Sequence, residues 1–182
     1  MLLSAWRKFK GWKVLEYFLQ DNTKAYIREV AKRLDISPMT ALLYLNIYHK
    51  EGLLDKSIVG NTSLYSLADN AATRELKKAY FLLSASHELI GFAKENEDIA
   101  SLILYGSHAK GDYDRCSDVD LLVIAQRKEL NLEKLKLLEG RLGKEVKVQV
   151  YPIGKWREKA DKNDPFYASV IRNRVVIYGA DI

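Results

Sequence analysis

The stretch Leu102 to Ala125, LILYGSHAKGDYDRCSDVDLLVIA, constrains this 182-residue chain more than any other. Leu102, Ile103, Leu104 and Tyr105 form a short apolar run that stops at Gly106, and a run of that length closed by glycine reads as a buried strand. Val119, Leu121, Leu122, Val123 and Ile124 form a second, partly β-branched run with Asp118 and Asp120 at its start. Alternate residues of a strand share a face, so the two carboxylates point the same way, with Cα atoms roughly 6.5 Å apart. Between the strands the pattern predicts a turn at Gly106-Ser107 and an irregular polar crossing. Two acids so close to a sheet core call for a cation.

Magnesium, or manganese, suits that pair. Hard oxygen ligands from two same-face positions can hold the metal while a triphosphate completes its shell. Gly106 lets the backbone approach phosphate closely, and Ser107 offers an N–H and a hydroxyl. Lys110 and Arg115 supply further positive charge. Together these residues describe a site for ATP or another nucleoside triphosphate. Taken singly, an Asp-x-Asp at a strand start is a solvated end and Gly-Ser is an ordinary turn. The order of the parts carries the assignment.

Gly106-Ser107, followed by Ala109, Lys110, Gly111, Ser117 and Asp118-x-Asp120, resembles the signature of the minimal nucleotidyltransferases of the DNA polymerase β superfamily. The resemblance covers about Ser101 to Ile182. It implies that Gly106, Ser107, Lys110, Arg115 and Ser117 bind nucleotide and that Asp118 and Asp120 are catalytic and hold two divalent metals. It also implies a third carboxylate from a neighbouring strand. That strand is EVKVQV, Glu145 to Val150, whose alternation puts Val146, Val148 and Val150 on one face and Glu145, Lys147 and Gln149 on the other. The third acid would fall at Lys147 or Gln149, and neither is acidic. Glu145 is a substitute one or two pleats early. Nucleotide binding is thus better supported than turnover.

The first 68 residues read as three helices and a hairpin. Trp12, Leu15, Phe18 and Leu19 mark the first helix, closing near Asp21-Asn22; Ile27, Val30, Ala31 and Leu34 mark the second, from about Thr23. Ser37-Pro38 starts the third, with a capping serine and a proline at the first helical position, and it runs to about Lys50 with Gly52 as its stop. Lys56 to Val59 and Ser63 to Leu67 flank the turn Gly60-Asn61-Thr62. That order resembles the winged helix-turn-helix domain of bacterial and archaeal regulators. The resemblance implies DNA contacts from Met39, Thr40 and Tyr44 on the third helix and phosphate contacts from Lys32, Arg33, Lys50 and Lys56. Leu43 and Ile47 join the same face. The first turns of that helix hold none of the residues that read bases most strongly, so a dimer or protein-docking role stands beside DNA binding.

Asn70 to Asn96 reads as one long helix with a stripe of Ala72, Leu76, Ala79, Leu83, Ile90 and Ala93, broken by Ser86. It serves either as a brace within the chain or as the seam of a homodimer, which is the expected assembly. His87 beside it reads as a core-edge residue. Towards the end, Asp164-Pro165 starts a short helix, Val175 to Tyr178 form a last strand, and Tyr151, Trp156, Phe166 and Tyr167 provide either base stacking or, for most of them, core.

Charge adds little. Residues 1–68 carry 10 Lys/Arg and 6 Asp/Glu, residues 69–100 carry 4 and 6, and residues 101–182 carry 15 and 12. The surplus permits nucleic acid or nucleotide partners and does not require them. The single cysteine, Cys116, excludes an intramolecular disulfide and fits a reducing cytosol. The basic, broken N-terminus is no secretory signal, no run spans a membrane, and a cytoplasmic location is expected.

The expected fold is α/β, with a winged helix-turn-helix domain at 1–68, a linking helix at 69–98 and a nucleotidyltransferase domain at 99–182 built on a small mixed sheet flanked by helices. The expected reaction moves a nucleoside monophosphate from an NTP to an acceptor hydroxyl. Because no long helical domain follows the motif to hold an RNA end, the acceptor is placed on a partner protein. The nearest analogy is with the minimal nucleotidyltransferases that act as antitoxins on a helical ribonuclease toxin. The alternative is a DNA-binding regulator whose nucleotidyltransferase domain is inactive or only binds nucleotide.

Overall fold

The computed structural model describes residues 5–21, 23–126 and 129–181. The chain divides into two compact units, Met1–Leu83 with Tyr113–Arg115, and Ser84–Asp112 with Cys116–Ile182.

The first unit contains α1 (Lys10–Asp21), the two-residue strand β1 (Ala25–Tyr26), α2 (Ile27–Leu34), α3 (Pro38–Lys50), and the hairpin β2 (Leu54–Val59) and β3 (Thr62–Leu67). The second helix starts later than its apolar spacing predicts. Ala25 and Tyr26 are extended and pair antiparallel with Tyr65 and Leu64 of β3, so tertiary pairing takes residues that helical spacing alone would claim. Asn22, at the expected close of the first helix, lies outside the described residues. Asp35 closes α2 in the left-handed region at φ 52. Ser37 then caps α3, its Oγ accepting from Thr40 N at 3.1 Å with Pro38 in the first turn. The hairpin is one residue tighter than expected, because Thr62 already pairs with Val59 and leaves Gly60-Asn61 as the turn. Val14, Phe18, Leu19, Val30, Ala41, Leu45, Leu54 and Tyr65 form the core of this unit.

The long helix α4 (Ala71–Glu95) begins in the first unit and ends in the second. Asn70 caps it, its Oδ1 accepting from Thr73 N at 3.0 Å. Its buried side matches the expected stripe only in part: Ala93 is buried and Leu76 and Ile90 are half-buried, but Ala72, Ala79, Leu83 and His87 are exposed and Thr73, Lys77, Tyr80, Phe81, Ala85, Leu89 and Phe92 are buried instead. Thr73 and Lys77 are polar positions on that buried side, which hid it. Lys77 is satisfied within the first unit, donating to the Tyr113 carbonyl and lying 4.2 Å from the centre of the Tyr113 ring.

The second unit is a four-stranded mixed sheet in the order β6-β5-β4-β7, from β4 (Ile99–Tyr105), β5 (Val119–Ala125), β6 (Val146–Tyr151) and β7 (Val175–Gly179). β4 lies antiparallel to β5 and β7, and β5 runs parallel to β6. The parallel pair needs a crossover, supplied by α6 (Glu133–Leu142). Asn96 fastens the approach to that helix: its Oδ1 accepts from Asn131 N at 2.8 Å and its Nδ2 donates to the Asn131 carbonyl at 3.1 Å. The turn expected at Gly106-Ser107 opens one helical turn, α5 (Gly106–Lys110), and the remainder of the crossing, 111–118, is irregular as expected.

One sheet face buries Ile103, Leu122 and Ile124 under Trp156 of α7 (Ile153–Asp161) and Val170 of α8 (Pro165–Arg172). Tyr151, Phe166 and Tyr167 pack against the same cluster, which makes them core rather than a stacking platform. α7 was not anticipated from the sequence. α8 was, and Asp164 caps it by accepting from Phe166 N at 2.8 Å and Tyr167 N at 3.2 Å. Among the described residues no helix is long and apolar enough to cross a membrane.

Candidate functional site

The site forms where β4, α5, β5 and β6 meet in the second unit. Strand register does most of the placing: Tyr105 stands opposite Asp120, and Asp120 stands opposite Lys147. Asp118 precedes the first residue of β5, whose amide donates to the Glu145 carbonyl at 2.8 Å.

Gly106 adopts φ +71, a conformation that side chains disfavour. A Cβ built on it would collide with Asp120 Oδ2 and stand 3.2 Å from Asp120 Cγ. The carboxylate therefore lies directly on bare backbone at the bend. Ser107 is half-buried in the first turn of α5, where its carbonyl accepts from Gly111 N at 2.9 Å. Lys110 is exposed at the end of that turn, and Ser117 is half-buried beside Asp118. Arg115 is exposed and belongs to the stretch that clusters with the first unit.

Asp118 and Asp120 are both half-buried and both close to the Lys147 ammonium. Lys147 Nζ lies 2.6 Å from Asp118 Oδ2. The hydrogen bond and charge of Asp118 raise the Lys147 pKa. Burial raises that of Asp120; Lys147 opposes the rise and Asp118 adds to it. The Tyr105 phenol, at the end of β4, is pushed up to about 12, first by burial and then by the charge of Asp120.

Of the two acids, Asp120 lies against the Gly106 bend. Lys147 occupies the position expected for a third acid and is bonded to Asp118, a contact that sequence reasoning missed. The sequence shows the lysine on the polar face of its strand, but the contact follows only once β6 is paired beside β5 in this register. Gln149 sits further along, opposite Leu122, and accepts from the Tyr151 hydroxyl at 3.3 Å. Glu145 is exposed just before β6. Among the described residues no group of three or more His, Cys, Asp or Glu side chains converges to hold a metal. Two carboxylates completed by phosphate oxygens fit one divalent cation. They do not fit two.

In the first unit, Met39, Leu43 and Ile47 line the exposed side of α3, with Met39 74% exposed. Thr40 Oγ1 shares a hydrogen bond with Ser37 Oγ at 2.8 Å, so part of its polar capacity goes to the cap. Tyr44 packs edge-on against Phe9. Lys32, Arg33, Lys50 and Lys56 are exposed. Arg33 lines a 420 Å³ cleft with Arg7, Lys8 and Lys13, and the buried Glu16 at its edge is clasped by Arg7 at 2.6 and 2.9 Å.

No curated protein matches the chain. Among solved structures it is similar to TubR bound to 24 bp of tubC, from Bacillus thuringiensis serovar israelensis pBtoxis, at 26% identity over 32% of this chain and 67% of that one, with a TM-score of 0.30. It is also similar to a toxin-antitoxin crystallised with AMP-PNP, at 20% identity over 53% and 74%, TM-score 0.39. A Sulfolobus solfataricus protein assigned as a nucleotidyltransferase matches at 19% identity over 61% and 91%, TM-score 0.36. Residues 87–182 match the family described as "Polymerase beta, Nucleotidyltransferase", a span that includes the bend, both aspartates and all four strands of the mixed sheet. On that match over more than half of its length, the chain belongs to the polymerase beta nucleotidyltransferase family.

Proposed function

We propose that the second unit binds the triphosphate of an NTP at Gly106-Ser107, with one magnesium or manganese ion held by Asp118 and Asp120. It would then transfer the nucleoside monophosphate to an acceptor hydroxyl. The observation that carries this reading is the bare backbone of Gly106, at φ +71, lying directly on the Asp120 carboxylate, so that no side chain stands between the bend and the acid that would hold the cation. When bound, the divalent ion neutralises phosphate charge. Asp118 and Asp120 orient the bound tail, and Ser107 donates to it. Lys110, exposed at the end of α5, adds positive charge. In the transfer, the acceptor oxygen bonds to the α-phosphorus and the bond to the bridging oxygen breaks. Pyrophosphate leaves, and the hydroxyl proton passes to solvent. The acceptor is placed on a partner protein, by analogy with antitoxin-like members of the family.

A second reading is favoured by the Lys147–Asp118 bond. In it the first unit is a winged helix that binds DNA through Lys32, Arg33, Lys50 and Lys56, and the second unit binds nucleotide without chemistry. Incubation with magnesium, ATP labelled at the α-phosphate and cell extract separates the two. Label transferred by the native chain and abolished in Asp118→Asn establishes the transferase. No transfer, together with salt-sensitive DNA binding, establishes the regulator.

A further inference from the structure

We infer that the Lys147 ammonium stands in for a second divalent cation, so that the site takes a nucleoside triphosphate with one such ion rather than two. The inference rests on the nucleotide-binding reading above and specifies its metal requirement.

Three observations carry it. Lys147 Nζ already holds Asp118 Oδ2 at 2.6 Å, so an incoming cation must compete with a fixed positive charge for that oxygen. The parallel register pairs Lys147 with Asp120 as well, so the lysine springs from a position beside both acids. Among the described residues no third carboxylate, histidine or cysteine converges there to complete a second metal shell.

Charge supports the same stoichiometry. Two carboxylates, one ammonium and one divalent ion leave a net charge of plus one to face the phosphates. Three carboxylates with two divalent ions leave the same charge. Adding a second divalent ion here would leave plus three, with two positive centres crowded onto one aspartate. Lysine suits the substitution because its ammonium is a compact point charge on a flexible stem. With its side chain 48% exposed, Lys147 can hold Asp118 while still presenting N–H groups towards a phosphate.

The test counts bound Mn²⁺ by electron paramagnetic resonance, using the full chain and an ATP analogue with a methylene between the α- and β-phosphates. The expected result is one Mn²⁺ per nucleotide-loaded native chain and two in Lys147→Asp. Lys147→Met, which frees Asp118 without adding a ligand, should keep one and bind Mn²⁺ alone about ten-fold more tightly. Should Lys147→Asp fail to fold, the tightening in Lys147→Met carries the test. Two Mn²⁺ in the native chain, or no change in either variant, would overturn the inference while leaving the nucleotide site intact. Failure of the native chain and both variants to retain the analogue would overturn the inference and the nucleotide-binding reading together.

Discussion

At Gly106 backbone conformation and packing impose the same requirement. Its φ of +71 disfavours any side chain, and the Asp120 carboxylate fills the space where a Cβ would go. Gly106→Ala should therefore cost about 1 to 3 kcal/mol of stability, seen as a lower denaturant midpoint at unchanged slope. It should also weaken nucleotide binding at least ten-fold. Both the glycine and the two acids were legible in the sequence, because strand alternation and an apolar run ending in glycine are strong local signals. The Lys147–Asp118 bond was not read, although the lysine was flagged as the wrong chemistry for that position. It depends on which strand lies beside β5 and in which register, and that is a tertiary fact.

Elements with a capping signal were placed well. Ser37→Ala should lower stability by about 1 kcal/mol, because Thr40 N loses its partner at the start of α3. Leu122, fully buried in β5 between the site and Trp156 of α7, should cost about 2 to 5 kcal/mol when cut to alanine, measured by the same unfolding titration. On α7, hydrogen bonds from Lys162 and then Lys155 hold the Glu158 carboxyl at about 2, below its ordinary 4.5. A depressed carboxylate stabilises the fold fully above its unfolded value, and that contribution is lost as pH falls from about 4.5 through about 2. A carboxyl-carbon NMR titration should show the low midpoint, and Lys162→Met should move it back up. The differences arise where tertiary contacts override local spacing. The start of α2 was lost to β1 because cross-strand pairing outweighs a helical spacing. The buried side of α4 was misassigned in part because Lys77 and Thr73 sit within it, their polar groups satisfied by Tyr113 and the Asn70 cap. α7 is not anticipated because Ile153–Asp161 offers no side-chain cap and buries only Trp156.

For the whole molecule, the match to the nucleotidyltransferase family covers residues 87–182. The regulator reading is tested on the first unit by a salt titration of duplex binding. Each phosphate contact contributes about −0.9 to the slope of log affinity against log salt, so Lys32→Gln and Arg33→Gln should each flatten it by about one. The central claim is narrower: the Gly106 bend with Asp118 and Asp120 binds a nucleoside triphosphate with a divalent cation. Isothermal titration of ATP with magnesium into the native chain and Asp120→Asn tests it most directly. Saturable, magnesium-dependent binding by the native chain, weakened at least ten-fold in Asp120→Asn, is the expected result; no binding by the native chain, or equal affinity in both, would contradict it.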